Sequence, residues 1–532
     1  MKPNKLTLVA AALICCLQLT AKPVKRPDSF NFQRGMEAWN AEQYAEALDY
    51  FNQELKDTPK SSYAYGMIAV IWNGEEEYGK ALAAANAAVK YCPKKDAEWM
   101  GIVYSTRADI QACLEDTTAA IRDYTQAIKS DPKRYTYYNE RGDLYFELKQ
   151  YDLSDADFRM MLNSDKSEDV RNGLMGLGRN QLRQGNADKA LPLFSRVIQM
   201  HTDDAVAYSW RAECYMEQAK FNEATDDLVT ALRIDDDNKA FRLMQHLDNE
   251  QGFTLMRLKL KKEQGKNPNS GRWFYYEGRL CESNSRYHEA IEAYKQAGKI
   301  DAIAVEDDIA DCYSDLGDYD KAMHYYELVM SNDSTNERIK LLYMDACGNS
   351  GNRAKAIGIA NALIEQYPDV ATFYNLRGWW ESDNGQYAAA IEDFTMTVIL
   401  DSTANEAYLN RGRCYIKTGQ TGLARADFEK FITLSDEINN GSCGALAYLG
   451  RKDEALECMR KSVHKDSADY YYIAACVHSI LNEKAPALQN LERALQLGFH
   501  RFAHIEVHLD FDNIRNTREF RTIVDKYRQK HL

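Results

Sequence analysis

Small and large apolar residues follow one another along this chain with a period close to 34 residues. The most regular position is an alanine, whose successive occurrences lie mostly 31 to 39 residues apart. An apolar or aromatic residue usually follows it by four positions, and a small residue precedes it by twelve. Small residues on two successive stretches let two antiparallel helices approach closely, while the larger residue fills the seam between pairs. The pattern therefore predicts a series of repeated helix pairs.

These positions extend over most of the chain. The alanines are Ala47, Ala81, Ala120, Ala190, Ala224, Ala290, Ala322, Ala356, Ala390, Ala424, Ala455 and Ala487, and Ser154 fills one gap. The larger residues are Phe51, Tyr124, Phe158, Phe194, Leu228, Tyr294, Tyr326, Phe394 and Phe428. Prolines that stand twelve residues after an alanine should end the second helix, because proline has no backbone N–H to donate. They are Pro59, Pro93, Pro132 and Pro368.

One complete unit is seen in residues 138–165, where Tyr138 and Gly142 belong to the first helix and Ser154 and Phe158 to the second. This pattern resembles the tetratricopeptide repeat, a helix–turn–helix unit of the same length. The resemblance covers nearly all of the chain after residue 28. It implies an all-α solenoid, a right-handed superhelix of antiparallel helix pairs. It also implies binding of peptides or proteins along a concave face that the first helices line.

The repeats fall into two predicted arrays, an N-terminal array over 28–238 and a C-terminal array over 271–499. Residues 239–270 keep a helical period but lack the alanine, so we predict a degenerate repeat there, with the possible role of a hinge. Residues 500–532 resemble the segment that closes such arrays, because a terminal repeat needs its apolar face covered. The covering residues would be Leu509, Phe511, Ile514 and Phe520.

Composition and charge narrow the class of partner. A formal net charge of −14 argues against nucleic acid and anionic membranes, since both need a basic face on the protein. The sequence contains no GxSxG, Walker, HExxH or Rossmann glycine motif. We therefore expect no enzyme, no cofactor and no small-molecule substrate, and we expect protein or peptide partners.

The first 21 residues have the pattern of a secretory signal peptide. Two lysines precede an apolar run over 6–19, and Ala21 ends a tolerable cleavage site. We therefore expect an exported, periplasmic protein. The alternative is an outer-membrane lipoprotein lipidated at Cys16, but Cys15 stands where a lipobox needs a small residue. Contact with a membrane is expected only with that lipid.

Cysteine residues could form disulfides, and histidine residues could bind a metal ion. The cysteines after residue 21 are scattered singly, and equivalent slots of stacked repeats lie beyond disulfide reach, so most should be buried apolar side chains. Only Cys443 and Cys458, on facing helices of one degraded unit, are candidates for a bridge. His500, His504 and His508 have a spacing that could place metal ligands on one helical face. No acidic or cysteine partner of matching spacing accompanies them, so we predict no metal site.

An arginine stands just before the small residue in six units, and in five of them an aspartate follows it by sixteen positions. Only Arg34 lacks the aspartate. The two positions lie on the facing helices of one unit, so we predict ion pairs that fix helix register and have no catalytic role. The pairs are Arg107–Asp123, Arg141–Asp157, Arg211–Asp227, Arg377–Asp393 and Arg411–Asp427.

First-helix residues one turn either side of the small residue should face the concave surface. Some members of the family clamp a C-terminal carboxylate there with a lysine and an asparagine, but the matching positions of this chain carry other residues. The predicted partner-binding residues are Asn139, Asp143, Tyr275, Arg279, Asn375, Trp379 and Arg413.

Three functional hypotheses follow from these observations. The first is a non-catalytic scaffold of the bacterial cell envelope that binds peptide or protein partners along its concave face. The second is a lipid-anchored component of envelope assembly or secretion. The third is a glycan-binding lipoprotein, because one such family builds on tetratricopeptide units. That family needs a large non-repeat portion, which this sequence lacks.

Overall fold

The computed structural model describes residues 27–235, 238–247, 249–435, 440–461 and 467–531. The predicted signal peptide and Cys16 lie outside these described residues. All regular secondary structure in the described ranges is helical, so the predicted all-α class is confirmed. The chain divides into two compact units between Lys259 and Leu260, and each unit is described by itself.

The described part of the N-terminal unit is a series of consecutive helix pairs. The pairs are α1 (Phe30–Asn40) and α2 (Tyr44–Asp57), α3 (Ser62–Gly74) and α4 (Tyr78–Tyr91), α5 (Ala97–Cys113) and α6 (Thr117–Ser130), α7 (Thr136–Glu147) and α8 (Tyr151–Met161), α9 (Ser167–Arg183) and α10 (Ala187–Met200), α11 (Ala205–Glu217) and α12 (Phe221–Ile234), and α13 (Asn238–Gln245) with α14 (Glu250–Lys266). The last helix runs across the boundary between the units.

The C-terminal unit continues the same arrangement. Its pairs are α15 (Arg272–Ser283) and α16 (Tyr287–Ile300), α17 (Glu306–Asp315) and α18 (Tyr319–Asn332), α19 (Glu337–Asn349) and α20 (Arg353–Gln366), α21 (Ala371–Asp383) and α22 (Tyr387–Leu400), α23 (Asn405–Lys417) and α24 (Thr421–Leu434), α25 (Asn440–Tyr448) and α26 (Lys452–Lys461), and α27 (Ala468–Ile480) with α28 (Lys484–Gln496). A short helix α29 (Phe502–Ile505), a 3-10 turn (Leu509–Phe511) and α30 (Arg518–His531) follow.

Local sequence explains where many of these helices begin and end. The carboxylates of Asp96, Asp116 and Asp204 accept a backbone N–H three residues on, which satisfies a donor that the first turn leaves unpaired. At the other end, α2, α4, α6 and α20 each stop two residues before a proline. Second helices without such a proline, among them α10, α12 and α22, end at the same position of their repeats. The prolines therefore coincide with these helix ends and are not required for them.

The two helices of a pair interlock through a small residue and an aromatic ring. A Cβ atom added to Gly178 would lie 2.5 Å from Phe194, one added to Gly142 would lie 3.1 Å from Phe158, and Gly412 meets Phe428 in the same way. These rings are almost completely buried, and so are the alanines of the periodic series. The small residue is required because any larger side chain would push the facing ring out of the seam.

The predicted degenerate repeat also folds as a helix pair, with a shorter first helix. Residues 239–270 form most of α13 and all of α14, a pair in which the first helix has only 8 residues. The boundary between the two compact units falls inside α14. The role of this stretch as a hinge stays a prediction. Among the described residues, no helix is both long enough and apolar enough to cross a membrane.

The C-terminal residues cover the last repeat. Leu509, Phe511, Ile514 and Phe520 are all buried, and three of them pack in one cluster with Leu491 of α28. Cys443 of α25 and Cys458 of α26 form a disulfide with their Cα atoms 5.5 Å apart. The other described cysteines are free thiols, and six of those eight are buried.

Candidate functional site

Each of the five predicted arginine–aspartate pairs is present as a bidentate contact. Nε and Nη2 of Arg377 donate to the two carboxylate oxygens of Asp393, both at 2.6 Å. The other four pairs have the same geometry, with N–O distances of 2.6 to 2.9 Å. The aspartate side chains are buried and the arginines are mostly buried. Because these side chains lie between the two helices of a pair and bind each other, we assign them a structural role.

The same arginines also connect neighbouring repeats, a contact that sequence analysis missed. Nη1 of Arg141 donates to Oγ1 of Thr125 at 2.8 Å, and Nη1 of Arg377 donates to Oδ1 of Asn361 at 2.7 Å. Thr125 and Asn361 each lie on the second helix of the preceding pair. In four of the five units, the signal that could have revealed this contact is a short polar residue sixteen positions before the arginine. Arg107 instead reaches Asn86, 21 positions before it. Each of these arginines therefore binds both its own repeat and the preceding one.

In each unit, we call the surface that the first helices form the first-helix surface. Asn139 and Asp143 lie on the first-helix surface of the N-terminal unit. Both are half-buried, and Asp143 pairs with Arg179 on the first helix of the next repeat. Nδ2 of Asn139 lies 3.4 Å from the Asp143 carboxylate. Their neighbour Glu140 is exposed, and the surrounding protein raises the pKa of its carboxyl, with the charge of Asp143 adding to the effect.

Further charged pairs continue this pattern between first helices. Arg183 of α9 pairs with Glu213 of α11 at 3.0 Å, and Glu213 also pairs with Lys239 of α13. The Lys239 ammonium lies 3.6 Å from the ring centroid of Trp210, within the range of a cation–π contact. None of these residues was predicted as functional. They were missed because each pair joins different repeats, so no fixed separation within one unit reveals it.

In the C-terminal unit, Tyr275 and Arg279 are half-buried on the first-helix surface. Nη1 of Arg279 donates to Oδ1 of Asp308 on the next first helix at 2.8 Å. Burial raises the pKa of the Asp308 carboxyl to about 6, reinforced by Asp307 and opposed by Arg279. The Tyr275 ring packs 5.7 Å from the ring of Tyr294, centroid to centroid. Tyr275 and Arg279, both predicted to bind a partner, therefore contact other residues of the C-terminal unit.

Arg413 and Trp379 contact residues from the end of the chain. Nη2 and Nε of Arg413 donate to the two carboxylate oxygens of Asp510 at 2.9 and 3.1 Å. The Trp379 ring lies 5.1 Å from the ring of His504. We call residues 499–515 the C-terminal segment. Arg413 and Trp379 were expected to face a partner, and in the structure both half-buried side chains contact this segment instead.

The C-terminal segment makes contacts with several successive repeats of its unit. Arg353 of α20 donates to the carbonyl oxygen of Ala503, and Lys417 of α23 donates to Asp512 at 2.7 Å. Asn375, the remaining predicted residue, is half-buried, and its side-chain oxygen has no hydrogen-bond partner in the structure. The segment therefore occupies part of the first-helix surface in addition to closing the last repeat.

Comparisons with known proteins agree with the repeat pattern. Sequence models described as tetratricopeptide repeat match residues 32–96, 106–164, 181–247, 308–336 and 406–437. The chain is a tetratricopeptide-repeat protein. Tetratricopeptide repeats typically form protein–protein interaction scaffolds and are typically non-catalytic.

Similar proteins include DnaJ homolog subfamily C member 3 of Gallus gallus, which is 25% identical over 225 residues, 36% of this chain and 44% of the relative. The Homo sapiens protein of the same name is 23% identical over 314 residues, 55% of this chain and 58% of the relative. The matches thus span about half of these relatives. A solved tetratricopeptide repeat protein from Parabacteroides merdae is 16% identical, with a TM-score of 0.36, and the alignment covers 51% of this chain and 92% of that one.

Proposed function

We propose that this tetratricopeptide-repeat protein is an exported scaffold that binds a basic, extended segment of a partner protein. The binding surface is the first-helix surface of the N-terminal unit. The observation that carries the proposal is the acidic character of that surface where it meets solvent. Glu140 and Glu217 are exposed there, and each lies beside a second carboxylate, Asp143 or Glu213. A lysine or arginine of a partner would relieve this repulsion.

The electrostatics of these two glutamates support the same view. Partial desolvation by the surrounding protein raises the pKa of the Glu140 carboxyl although the residue is exposed at the surface, and the neighbouring Asp143 charge raises it further. The pKa of Glu217 is raised by the same two effects, with Glu213 as the charged neighbour and Arg183 opposing. A carboxylate that is costly to ionise alone gains more from a bound cation than one in open water. The overall charge of −14 also favours basic partners.

The C-terminal unit offers a physical precedent for how such a surface holds an extended segment. There the chain's own C-terminal segment binds through a carboxylate on Arg413 and a ring on Trp379. Because those two side chains are already in contact with the segment, we assign partner binding to the N-terminal unit. The charges are reversed in the proposed case, with the scaffold supplying carboxylates and the partner supplying cations.

Binding of peptides from a charge-varied array tests the proposal. We expect the full chain to select peptides rich in lysine and arginine, with affinity that falls as salt increases. Glu140→Lys and Glu217→Lys should each weaken binding about tenfold, equivalent to about 1.4 kcal/mol. Glu223→Lys is the matched control, because Glu223 is exposed on the second helix α12 and should leave binding unchanged. Equal loss in all three variants, or no preference for basic peptides, contradicts the proposal.

Export is proposed from two observations. Residues 1–21 have the pattern of a signal peptide, and a disulfide between Cys443 and Cys458 is typical of an oxidising compartment. Mass spectrometry of the protein from its own cells should give a mature chain without residues 1–21. A chain that retains them rules out cleavage and export by this route. A lipid on Cys16 would instead favour the lipid-anchored alternative.

A further inference from the structure

Three side chains of metal-ligating types meet where the C-terminal segment crosses α27. They are Cys476 of α27 and His508 and Asp510 of the segment. Nδ1 of His508 lies 3.9 Å from Sγ of Cys476 and 3.8 Å from Oδ2 of Asp510. All three ligand atoms lie within 4.8 Å of one another. Within the described part of the chain, no second group of three such residues was found this close together.

The separation between His508 and Asp510 is longer than a hydrogen bond and slightly longer than that between two ligands of a small ion. A distance of 3.8 Å between an imidazole nitrogen and a carboxylate oxygen exceeds a normal hydrogen bond. In a tetrahedral zinc site, bond lengths of about 2.0 to 2.3 Å hold neighbouring ligand atoms about 3.3 to 3.6 Å apart. A contraction of about half an ångström would bring the histidine nitrogen to this spacing from the sulfur and from the oxygen. The sulfur and the oxygen, which lie within 4.8 Å of each other, would have to approach further.

The carboxylate of Asp510 is already held in a fixed orientation. Its Oδ1 accepts from Tyr448 Oη at 2.7 Å and from Arg413 Nε at 3.1 Å, and its Oδ2 accepts from Arg413 Nη2 at 2.9 Å. A carboxylate oxygen has two lone pairs, so Oδ2 can bind an ion while it accepts one hydrogen bond. Donors of this kind commonly orient the ligands of protein metal sites. The positive charge of Arg413 opposes a second cation there, and the thiolate that forms at Cys476 compensates.

The three side chains of the cluster differ in exposure. Cys476 and Asp510 are buried at 5% and 3% exposure, while the His508 side chain keeps 13% of its surface exposed. The cluster is therefore mostly enclosed, and His508 is its most exposed member. The mixture of thiolate, imidazole and carboxylate suits Zn²⁺ better than Ca²⁺ or Mg²⁺, which prefer oxygen ligands only.

We propose that Cys476, His508 and Asp510 bind one Zn²⁺ ion, with a water molecule in the fourth tetrahedral position. On binding, the Cys476 thiol releases its proton to solvent and forms a sulfur–zinc bond, while neutral His508 binds through Nδ1. No electron is transferred. The ion joins α27 to the C-terminal segment, so its effect is to fasten that segment to the first-helix surface of the C-terminal unit.

Zinc retention by the purified full chain tests this site. After dialysis with ZnCl₂ and then against metal-free buffer, elemental analysis should find one zinc per chain. Cys476→Ser and His508→Asn should each lower retention at least tenfold. Cys414→Ser and His500→Asn are matched controls, because Cys414 is a buried free thiol of α23 and His500 lies in the same segment outside the cluster. Wild-type protein that retains no zinc, or equal retention in all variants, overturns the proposal.

A measurement on the wild-type chain keeps the test decisive if either variant folds poorly. Alkylation of each thiol is followed by peptide mass spectrometry, with ZnCl₂ and with a chelator. Zinc should slow modification of Cys476 at least tenfold and leave that of Cys414 unchanged. Replacement of zinc by Co²⁺ should add the near-ultraviolet absorption of a thiolate–cobalt bond, which Cys476→Ser removes. Unchanged alkylation of Cys476 contradicts zinc binding there.

Discussion

At the scale of single residues, the arginine that five of the repeats carry binds the same kinds of partner in each. It binds the aspartate of its own repeat with two hydrogen bonds, and it reaches a short polar residue of the preceding repeat with the third nitrogen. A planar guanidinium suits this geometry because its donors are arranged as a rigid fork. The repeats that carry the pair are therefore connected at the seam by a polar contact as well as by apolar packing.

The first prediction concerns the pair Arg377–Asp393. Arg377→Ala leaves the buried Asp393 carboxylate without its cation, so we expect unfolding free energy to fall by about 1–4 kcal/mol. Asp393→Ala should lower the unfolding free energy by a similar amount. The double variant should lose less unfolding free energy than the two single variants lose together. Denaturant unfolding of the four proteins measures this coupling. Additive losses would show that the two residues do not act together, and Arg34→Ala, at an exposed pair, should have little effect.

Glu381 gives a residue-scale prediction on pH. Burial raises the pKa of its carboxyl to about 7, reinforced by the charge of Asp393 and opposed by Arg377. A raised pKa in the folded state means that the folded chain holds a proton that the unfolded chain has lost above about pH 4.5. This group's contribution to stability is therefore present at low pH and is lost as pH rises from about 4.5 to 7.

Glu381→Gln should remove this dependence, because an amide stays neutral. We expect the variant to be more stable than the wild type at pH 8 by about 1–3 kcal/mol, and close to it at pH 5. Denaturant midpoints at the two pH values measure the difference. Glu406→Gln, at an exposed glutamate of α23, is the control and should differ from the wild type by the same amount at both pH values. A constant difference between the wild type and Glu381→Gln would refute the role of this carboxyl.

At the scale of elements, the interlock of a glycine with a ring sets how closely two helices approach. A Cβ atom at position 178 would lie 2.5 Å from the ring of Phe194, which is completely buried and has no free space to enter. Steric contact of this kind acts between the helices of one pair. The close approach is what allows identical pairs to stack with a constant period.

We therefore expect Gly178→Ala to destabilise the N-terminal unit by about 1–3 kcal/mol, despite the higher helix propensity of alanine. Gly79→Ala is the matched control, because no atom lies within 4 Å of a Cβ added there in α4. That substitution should be neutral or slightly stabilising. Thermal unfolding of both variants tests the contrast, and an equal effect at the two positions would exclude the steric explanation.

At the scale of the molecule, the C-terminal unit differs from a simple stack of repeats. Its C-terminal segment contacts α20, α21 and α23 as well as the last pair, through Arg353, Asp383 and Arg413. The buried pair Arg413–Asp510 joins residues 97 positions apart in the sequence. Part of the surface that tetratricopeptide repeats offer to partners is thus in contact with the chain itself.

Arg413→Ala should release this segment. The change leaves Asp510 as an uncompensated buried charge, so we expect a loss of about 3–5 kcal/mol for the docked segment. Hydrogen exchange of the backbone amides between 499 and 515 should become faster, while amides of the N-terminal unit stay as they are. Arg425→Ala, at an exposed arginine of α24, is the control. Unchanged exchange in Arg413→Ala would show that the segment is held by its apolar contacts alone.

The sequence by itself determined the features that repeat within one unit. The helix pairs, the buried alanines, the small residues that face aromatic rings and the spacing of Arg377 and Asp393 all recur at fixed separations. A side chain that must face its neighbour in every repeat leaves a periodic signal, because the same local geometry is used each time. The disulfide candidates Cys443 and Cys458 were also identifiable, since they lie on the facing helices of one unit.

Only the tertiary structure decided what lies against the first-helix surface of the C-terminal unit, namely the C-terminal segment. The helical spacing of His500, His504 and His508 suggested one face, and the rings of His504 and His508 do lie side by side, with 4.5 Å between their centroids. His500 lies instead beside Tyr319, because α29 spans only 4 residues. His504 contacts Asp383, and His508 lies beside Cys476, 32 residues upstream. Periodicity shows which residues of a repeat point outwards, yet it carries no information on a non-repeating segment that folds back over them. Such contacts depend on the path of the chain in three dimensions.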